Sequence, residues 1–196
     1  MMLAHSQGSL LNAAKLAAGL GVSSPTITSY LGLLVGLLLL RRLPPYLPNV
    51  RKRLVKSPKT YVRDSGLLHA LLGIHSVDEL LGHPVAGMSW EGFVLENLLA
   101  AAPEHVRAAF YRTAAGAEID LVLELGGYAG IWAVEVKKNS APKLERGFHS
   151  ALEDLQPDHA FVVYTGSDRY LKSQNVTVLS LRELAQELAR LDTGTV

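Results

Sequence analysis

The chain has 196 residues, no cysteine and a net charge of +1, and 48% of its residues are hydrophobic. It can therefore bury a substantial core without disulfides, either as one larger domain or as two small ones. The longest apolar run, residues 31–40, is far shorter than the roughly 20 residues of a membrane-spanning helix. We therefore expect a cytoplasmic protein with no membrane partner.

The charges are divided unevenly along the chain. Residues 1–63 contain nine lysines and arginines and no acidic residue, whereas the remainder carries ten basic and eighteen acidic residues. A basic segment without carboxylates favours a polyanion such as DNA as a partner. The alternative is that the two oppositely charged parts attract each other within the molecule.

The first part of the chain has the pattern of a helix-turn-helix. Residues 10–20 have helix-forming composition and end at a Gly-Leu-Gly turn, and Ser24-Pro25 then predicts the start of a second helix over residues 26–34. In such a motif the beginning of the second helix enters the major groove, so Thr26 and Thr28 are candidate DNA-contacting residues. Helix, glycine turn and helix also occur as plain packing.

A basic β-hairpin follows, with strands predicted at about residues 37–43 and 54–62. It would be the wing of a winged helix, and its cations are suited to contacts with phosphate groups. The competing interpretation is a solvated hairpin that docks on another protein domain. The candidate phosphate-binding residues are Arg51, Lys52, Arg53, Lys56 and Lys59.

The apolar residues just before the hairpin are interrupted by Gly32 and Gly36, which weaken a helix. We expect residues 33–40 to form partly exposed apolar surface. Such a surface would dock to a further module or to a second copy of the chain.

The second part of the chain alternates helical and strand patterns. A helix at residues 90–101 and strands at 108–112, 119–123 and 131–137 precede a helix at 142–155 and a strand at 159–164. This order is α-β-β-β-α-β, and a further strand at 176–179 and a helix at 181–191 close the chain. A strand–helix–strand passage implies a parallel crossover, so we predict a mixed sheet covered by helices. The predicted domains are residues 1–86 and 87–196.

Three charged residues occur in otherwise apolar strands. The two-residue period of a strand places Glu135 and Lys137 on one face, and Asp120 lies one strand away. Charges are costly to bury unless they are paired or hold a metal ion. The pattern therefore predicts either a structural ion-pair network or a divalent-cation site with a lysine beside it.

The order of an acidic helix, Glu118-Ile119-Asp120 and Glu135-Val136-Lys137 resembles the PD-(D/E)XK nuclease-like superfamily. With KRLVKSPKTYVRDSGLLHALLG and WEGFVLENLL, the chain is similar to a domain of unknown function that follows the ATPase module of many prokaryotic AAA-type ATPases. The resemblance implies an N-terminal winged helix-turn-helix and a restriction-endonuclease-like core. It also implies a catalytic set of Glu91, Asp120, Glu135 and Lys137, with Glu91 preferred over Glu96 because it follows Trp90.

These residue types fit metal-dependent phosphodiester cleavage. Carboxylates such as Asp120 and Glu135 are hard oxygen ligands that suit Mg²⁺. Lys137 could orient the attacking water or stabilise the charge of the transition state. The Val136 carbonyl would be a further ligand. Two more cations, Arg112 and Lys138, could grip a phosphate or simply be solvated.

The chain contains no G-x-x-x-x-G-K-[ST] motif, so we expect no ATP site in these residues. We expect it to correspond to the C-terminal part of such an ATPase, with the ATPase module or a second copy as partner. The seven histidines show no metal-binding spacing. Two functions stay open: a Mg²⁺-dependent nuclease that binds DNA, or a non-catalytic module that binds nucleic acid or protein.

Overall fold

The structure is a computed structural model that describes residues 1–173 and 175–192. It is a mixed α/β protein that divides into two compact units, Met1–Pro44 with Ser57–Phe93 and Pro45–Lys56 with Val94–Val196. The helices in the described residues are α1 Ala13–Leu20, α2 Ser24–Gly36, α3 Ser65–Leu72, α4 Val77–Gly82, α5 Ala86–Ala101, α6 Arg146–Leu155 and α7 Leu181–Asp192. The strands are β1 Ser9–Leu10, β2 Leu40–Leu43, β3 Lys59–Val62, β4 Arg107–Arg112, β5 Glu118–Gly126, β6 Gly130–Val136, β7 His159–Tyr164, β8 Tyr170–Ser173 and β9 Val176–Ser180.

The first unit contains the two predicted helices, α1 and α2, and each has its own capping residue. The Asn12 side chain accepts a hydrogen bond from the Lys15 amide at 2.9 Å, and Gly21 ends α1 in the left-handed region with φ of 66°. The predicted first helix starts too early, at residue 10, because Ser9–Leu10 form β1 instead.

The first unit also contains a small antiparallel sheet in the order β1-β3-β2, in which β1 precedes α1 and the other two strands follow α2. β2 pairs with β3 from Leu40 opposite Val62 to Leu43 opposite Lys59, so the predicted pairing of two strands is present. Both strands are shorter than predicted. Residues 37–39 form the turn after α2, and the segment Pro45–Lys56 belongs to the second unit.

Apolar side chains at the end of α2 are exposed, as the sequence predicted. Leu33, Leu37 and Leu38 are 62%, 67% and 67% exposed, respectively. Leu38 has a φ of 59°, an uncommon conformation for a residue with a side chain. An apolar cavity of about 540 Å³ in the same unit is lined by Leu34 and Leu39 among others.

In residues 1–173 and 175–192 no single helix is long and apolar enough to cross a membrane. The pair α1 and α2, bent by 104°, reaches the required length and composition only when the two are counted together.

The second unit contains a six-stranded sheet in the order β4-β5-β6-β7-β9-β8. The mixed sheet predicted from the sequence is confirmed: β6, β7 and β9 are parallel, and the other neighbours are antiparallel. Helix α6 packs Phe148 and Ala151 into a buried cluster with Ala133 and Val162 of the central strands. This core fixes the ends of β5 and β6, where the charged residues lie.

Three elements differ from the prediction. The edge strand β8 was missed because all of its residues are exposed and it lacks an apolar pattern. Helix α6 begins at Arg146 rather than at residue 142, and its N-cap Glu145 is extended. Helix α5 begins at Ala86 rather than at residue 90, and its residues are shared between the two units.

Candidate active site

Asp120 of β5, Glu135 of β6 and Lys137, the residue just after β6, lie at one end of the large sheet. β5 and β6 are antiparallel, and the last residue pair of their ladder at this end is Leu121 opposite Val134. One residue further toward this end, Asp120 of β5 and Glu135 of β6 therefore lie side by side. This is also the carboxyl end of β6, which runs parallel to β7. The structure thus brings together three of the four residues of the predicted catalytic set.

A β-bulge lies at Asp120. Strand β4 pairs Ala109 with Val122 and then Tyr111 with Ile119, so one residue of β4 stands opposite two residues of β5, Asp120 and Leu121. Bulges redirect side chains and often adjoin functional sites. Here Asp120 Oδ2 accepts a hydrogen bond from the Val136 amide at 2.9 Å, so the carboxylate of β5 reaches the end of β6.

Glu135 is 7% exposed, and its Oε1 lies 2.9 Å from Lys137 Nζ. This contact follows from the strand period, which places residues two apart on one face. Burial, the largest single influence, lowers the pKa of Lys137, but the neighbouring carboxylates outweigh it, and the net pKa lies above the usual lysine value. Glu135 acts most strongly, and Asp120 and Glu145 add to its effect. Lys137 is therefore an ammonium ion at neutral pH.

The cluster of Asp120, Glu135 and Lys137 carries two negative charges and one positive charge. Among the residues that the structure describes, no group of three or more His, Cys, Asp and Glu side chains is arranged to hold a metal ion. Two carboxylates are nevertheless a usual protein contribution to a Mg²⁺ site, since this ion keeps several of its waters. A divalent cation would turn the net charge of the cluster positive, which would attract a phosphate group.

Glu91, the fourth predicted catalytic residue, lies in the first unit and is 4% exposed. Its Oε1 accepts a hydrogen bond from Tyr61 at 2.5 Å and lies 3.2 Å from Lys59 Nζ. Lys59 is itself 3% exposed, so its amine is held by a buried carboxylate and is not an open surface contact for phosphate. Glu96, the alternative to Glu91, is half-buried on the same helix.

The two further candidate phosphate contacts, Arg112 and Lys138, have different environments. Arg112 lies 3.4 Å from Glu118, its partner across β4 and β5. Lys138 is half-buried, and its backbone carbonyl accepts a hydrogen bond from the Thr165 hydroxyl at 3.1 Å.

The candidate DNA-contacting threonines lie in the first turns of α2. Thr26 is half-buried, and its hydroxyl lies 2.8 Å from that of the N-cap Ser23. Thr28 is exposed, and its hydroxyl donates to the Ser24 carbonyl at 3.1 Å. Of the two side chains, Thr28 is the more accessible to a ligand.

Four of the predicted phosphate-binding cations lie in the segment Pro45–Lys56, which we call the basic strap. The strap lies beside β4: the Tyr46 amide donates to the Phe110 carbonyl at 2.6 Å, and the Val55 amide donates to the Arg112 carbonyl at 2.9 Å. Its cations are therefore carried by the second unit rather than by the first. They are Arg51, Lys52, Arg53 and Lys56, and all four are exposed.

Sequence reasoning missed two polar partners. Asp154 of α6 accepts a hydrogen bond from the Tyr111 hydroxyl at 2.8 Å and lies 2.6 Å from Lys52 Nζ. Burial and then this hydrogen bond raise the pKa of Tyr111. No sequence signal marks that cluster, because its members are far apart in the chain. Tyr61 could have been found, since the strand period places it on the same face as Lys59.

The fold and the cluster define a mixed α/β protein with two carboxylates and a lysine at the ends of adjacent strands. Residues 86–184 match a family described as a domain of unknown function, DUF4143, and residues 1–78 match another, DUF8612. The chain belongs to the DUF4143 family, an ATPase-associated C-terminal domain.

Two relatives are similar to the whole chain. They are the uncharacterized protein Rv2008c of Mycobacterium tuberculosis and the uncharacterized protein Mb2031c of Mycobacterium bovis, each 41% identical over 196 residues. The alignment covers 100% of this chain and 42% of each relative, so the chain spans less than half of their length. No solved structure matches the chain significantly.

Proposed function

We propose that the protein is a Mg²⁺-dependent nuclease-like enzyme that binds DNA and cleaves phosphodiester bonds. The observation that carries this proposal is the convergence of Asp120, Glu135 and Lys137 at the ends of β5 and β6. Asp120 and Glu135 supply hard oxygen donors to a Mg²⁺ ion, which would lower the pKa of an attacking water and neutralise phosphate charge.

Lys137 has a defined part in this chemistry. Because its pKa is raised, the amine is charged at neutral pH and cannot act as a general base there. It can instead stabilise the negative charge that develops on the phosphate oxygens, or hold the attacking water by donating to it. Its contact with Glu135 fixes its position before the substrate arrives.

Glu91 is the fourth member of the proposed catalytic set. Its contacts with Lys59 and Tyr61 satisfy a buried carboxylate, so a structural role explains its burial as well. We assign it to catalysis on the family resemblance alone. A Glu91→Gln variant, which keeps an acceptor for Tyr61, is the appropriate test of that assignment.

The helix-turn-helix and the hairpin of the first unit support a winged helix. α1, α2 and the β2–β3 pairing follow one another in the required order, and the exposed Thr28 lies near the start of the second helix. In this proposal the winged helix contributes contacts to duplex DNA.

The exposed leucines of α2 support docking to another protein surface. Each relative contains a region similar to this entire chain, and that region makes up 42% of its length. We therefore propose that the exposed leucines dock against the remaining part of such a protein. By the family resemblance, that part is an ATPase module. Light scattering should find the chain monomeric. A dimer that is lost in Leu37→Glu would make a second copy the occupant instead.

The nuclease activity can be tested with supercoiled plasmid and labelled single-stranded DNA, in Mg²⁺, in Mn²⁺ and in EDTA. We expect metal-dependent cleavage that is abolished in Glu135→Ala and strongly reduced in Lys137→Met. The exposed Glu153→Ala of α6 is the matched control and should cleave like the wild type. Cleavage that persists in Glu135→Ala would exclude this site as its source.

The alternative is a non-catalytic binding module with the same fold. The observation in its favour is that the carboxylates of the cluster already have partners within the protein. Asp120 accepts a hydrogen bond from the Val136 amide, and Glu135 forms an ion pair with Lys137. This alternative predicts salt-sensitive DNA binding without turnover in any metal. Absence of cleavage together with retained binding would establish it over the enzyme.

A further inference from the structure

The basic strap is held rigidly on the second unit. Besides its contacts with β4, the Ala114 amide donates to the Arg53 carbonyl at 2.8 Å, and Leu54 forms an antiparallel bridge with Thr113. Lys52 adds an ion pair with Asp154 at 2.6 Å. The strap thus covers β4, which is the first strand in the order of the six-stranded sheet.

A cleft of about 820 Å³ opens between the strap and the turn after β4. It is lined by Lys52, Arg53 and Lys56, by the apolar side chains of Leu47, Leu54 and Val55, and by Ala114. Within residues 1–173 and 175–192, no carboxylate lines it. Its positive charge is therefore concentrated in a concave surface rather than spread over a convex one.

The cations of the cleft differ in how far they are neutralised. Lys52 is tied to Asp154, and its side chain is 42% exposed. Arg53 and Lys56 are exposed, and within residues 1–173 and 175–192 neither has an acidic side chain at ion-pair distance. Two unneutralised cations on a fixed backbone form a binding site for an anion, because the backbone needs little further ordering when the anion binds.

The strap is connected to the carboxylate cluster through the sheet. Asp154, the partner of Lys52, also accepts the hydrogen bond from Tyr111, and Tyr111 pairs with Ile119, the residue before Asp120. A polyanion bound in the cleft would therefore lie on the same unit as the proposed metal ligands.

We propose that the cleft of the basic strap binds the phosphodiester backbone of a nucleic acid for the second unit, independently of the helix-turn-helix. This inference deepens the proposed function and rests on its DNA-binding part. The sequence suggested that the strap is part of a wing, which would position the first unit on DNA. In this proposal the strap instead binds phosphate groups for the second unit, which carries Asp120 and Glu135. Arg53 and Lys56 provide the contacts, and Lys52 anchors the strap.

The test measures binding of a fluorescein-labelled 20-nucleotide DNA, as a single strand and as a duplex, in EDTA so that no cleavage occurs. The variant Arg53→Glu/Lys56→Glu changes the two cleft cations. The control variant Lys172→Glu/Arg182→Glu makes the same change in charge on exposed residues of β8 and α7.

We expect the cleft variant to bind at least tenfold more weakly than the control variant at low salt. For the duplex, the slope of log K against log salt should fall by about 1.8, which corresponds to two lost phosphate contacts. Equal binding by the cleft and control variants would overturn the proposal. Circular dichroism and thermal melting confirm that each variant is folded.

A third variant, Thr28→Glu/Ser29→Glu on α2, separates the cleft from the helix-turn-helix. The proposal predicts that single-stranded binding survives in this variant. Loss of all binding in this variant, with full binding in the cleft variant, would assign the DNA contact to the first unit and overturn the proposal.

Cleavage is measured separately from DNA binding. If the wild-type chain binds DNA through the cleft but never cleaves it, the proposed catalytic function fails and the cleft assignment stands. If Glu135→Ala abolishes cleavage while the cleft variant binds and cleaves normally, the catalytic proposal stands and the cleft assignment fails.

Discussion

Asp120 accepts a 2.9 Å hydrogen bond from the backbone amide of Val136, so a side chain of β5 binds the last backbone amide of β6. The same carboxylate is the proposed metal ligand. Its structural and chemical roles can be separated by choosing substitutions that retain or remove the acceptor oxygen.

Asp120→Asn keeps an acceptor for the Val136 amide but removes the negative charge. We expect this variant to lose less unfolding free energy than Asp120→Ala, which should lose about 1.5–3 kcal/mol, the range for a hydrogen bond to a charged group. Urea unfolding measures both. Both variants should lose metal-dependent cleavage. Full cleavage by Asp120→Asn would contradict the metal-ligand assignment.

The ion pair of Lys137 with Glu135 gives a prediction about pH. The folded pKa of Lys137 is raised, so its contribution to stability is complete below the ordinary lysine pKa and is lost as the pH rises through the folded value. NMR titration of the lysine side chains should find one amine that titrates above the usual range. In Glu135→Gln that pKa should fall. The control Glu145→Gln should change it much less, because that carboxylate is exposed and lies 4.0 Å away.

The buried pair of Lys59 with Glu91 predicts a strongly non-additive pair of substitutions. Lys59→Met leaves a buried carboxylate without this cation and should cost about 3 kcal/mol or more of unfolding free energy. Adding Glu91→Gln removes the leftover charge and keeps an acceptor for Tyr61, so the double variant should recover most of the loss. Additive losses in chemical denaturation would show that the two residues do not act as a pair.

Leu38 predicts a stabilising substitution. Its φ of 59° is costly for a leucine, and its side chain is 67% exposed, so Leu38→Gly relieves strain and gives up little burial. We expect a gain of about 1 kcal/mol in unfolding free energy. Leu37 is equally exposed but has a φ of −81°, so Leu37→Gly is the matched control and should not stabilise. A loss of stability in Leu38→Gly would mean that its side chain packs against something important.

The large sheet was predictable because its central strands are apolar runs bounded by turns, and the period of two placed Glu135 and Lys137 together. The bulge at Asp120 was not predictable, since it depends on the register between β4 and β5. The strap was misjudged for a related reason. Arg51 to Lys56 look like part of a hairpin locally, but their backbone hydrogen bonds go to β4 and to the turn after it, about 60 residues later in the sequence. Local pattern carries no information on such long-range pairing.

The most direct test of the proposed metal site is a crystal of the chain soaked in Mn²⁺ and measured at a wavelength where manganese scatters anomalously. The account predicts an anomalous peak at the ends of β5 and β6, bound by carboxylate oxygens of Asp120 and Glu135, and no such peak in Glu135→Ala. A wild-type crystal with no peak there, and with Glu135 still paired to Lys137 at saturating Mn²⁺, would contradict it.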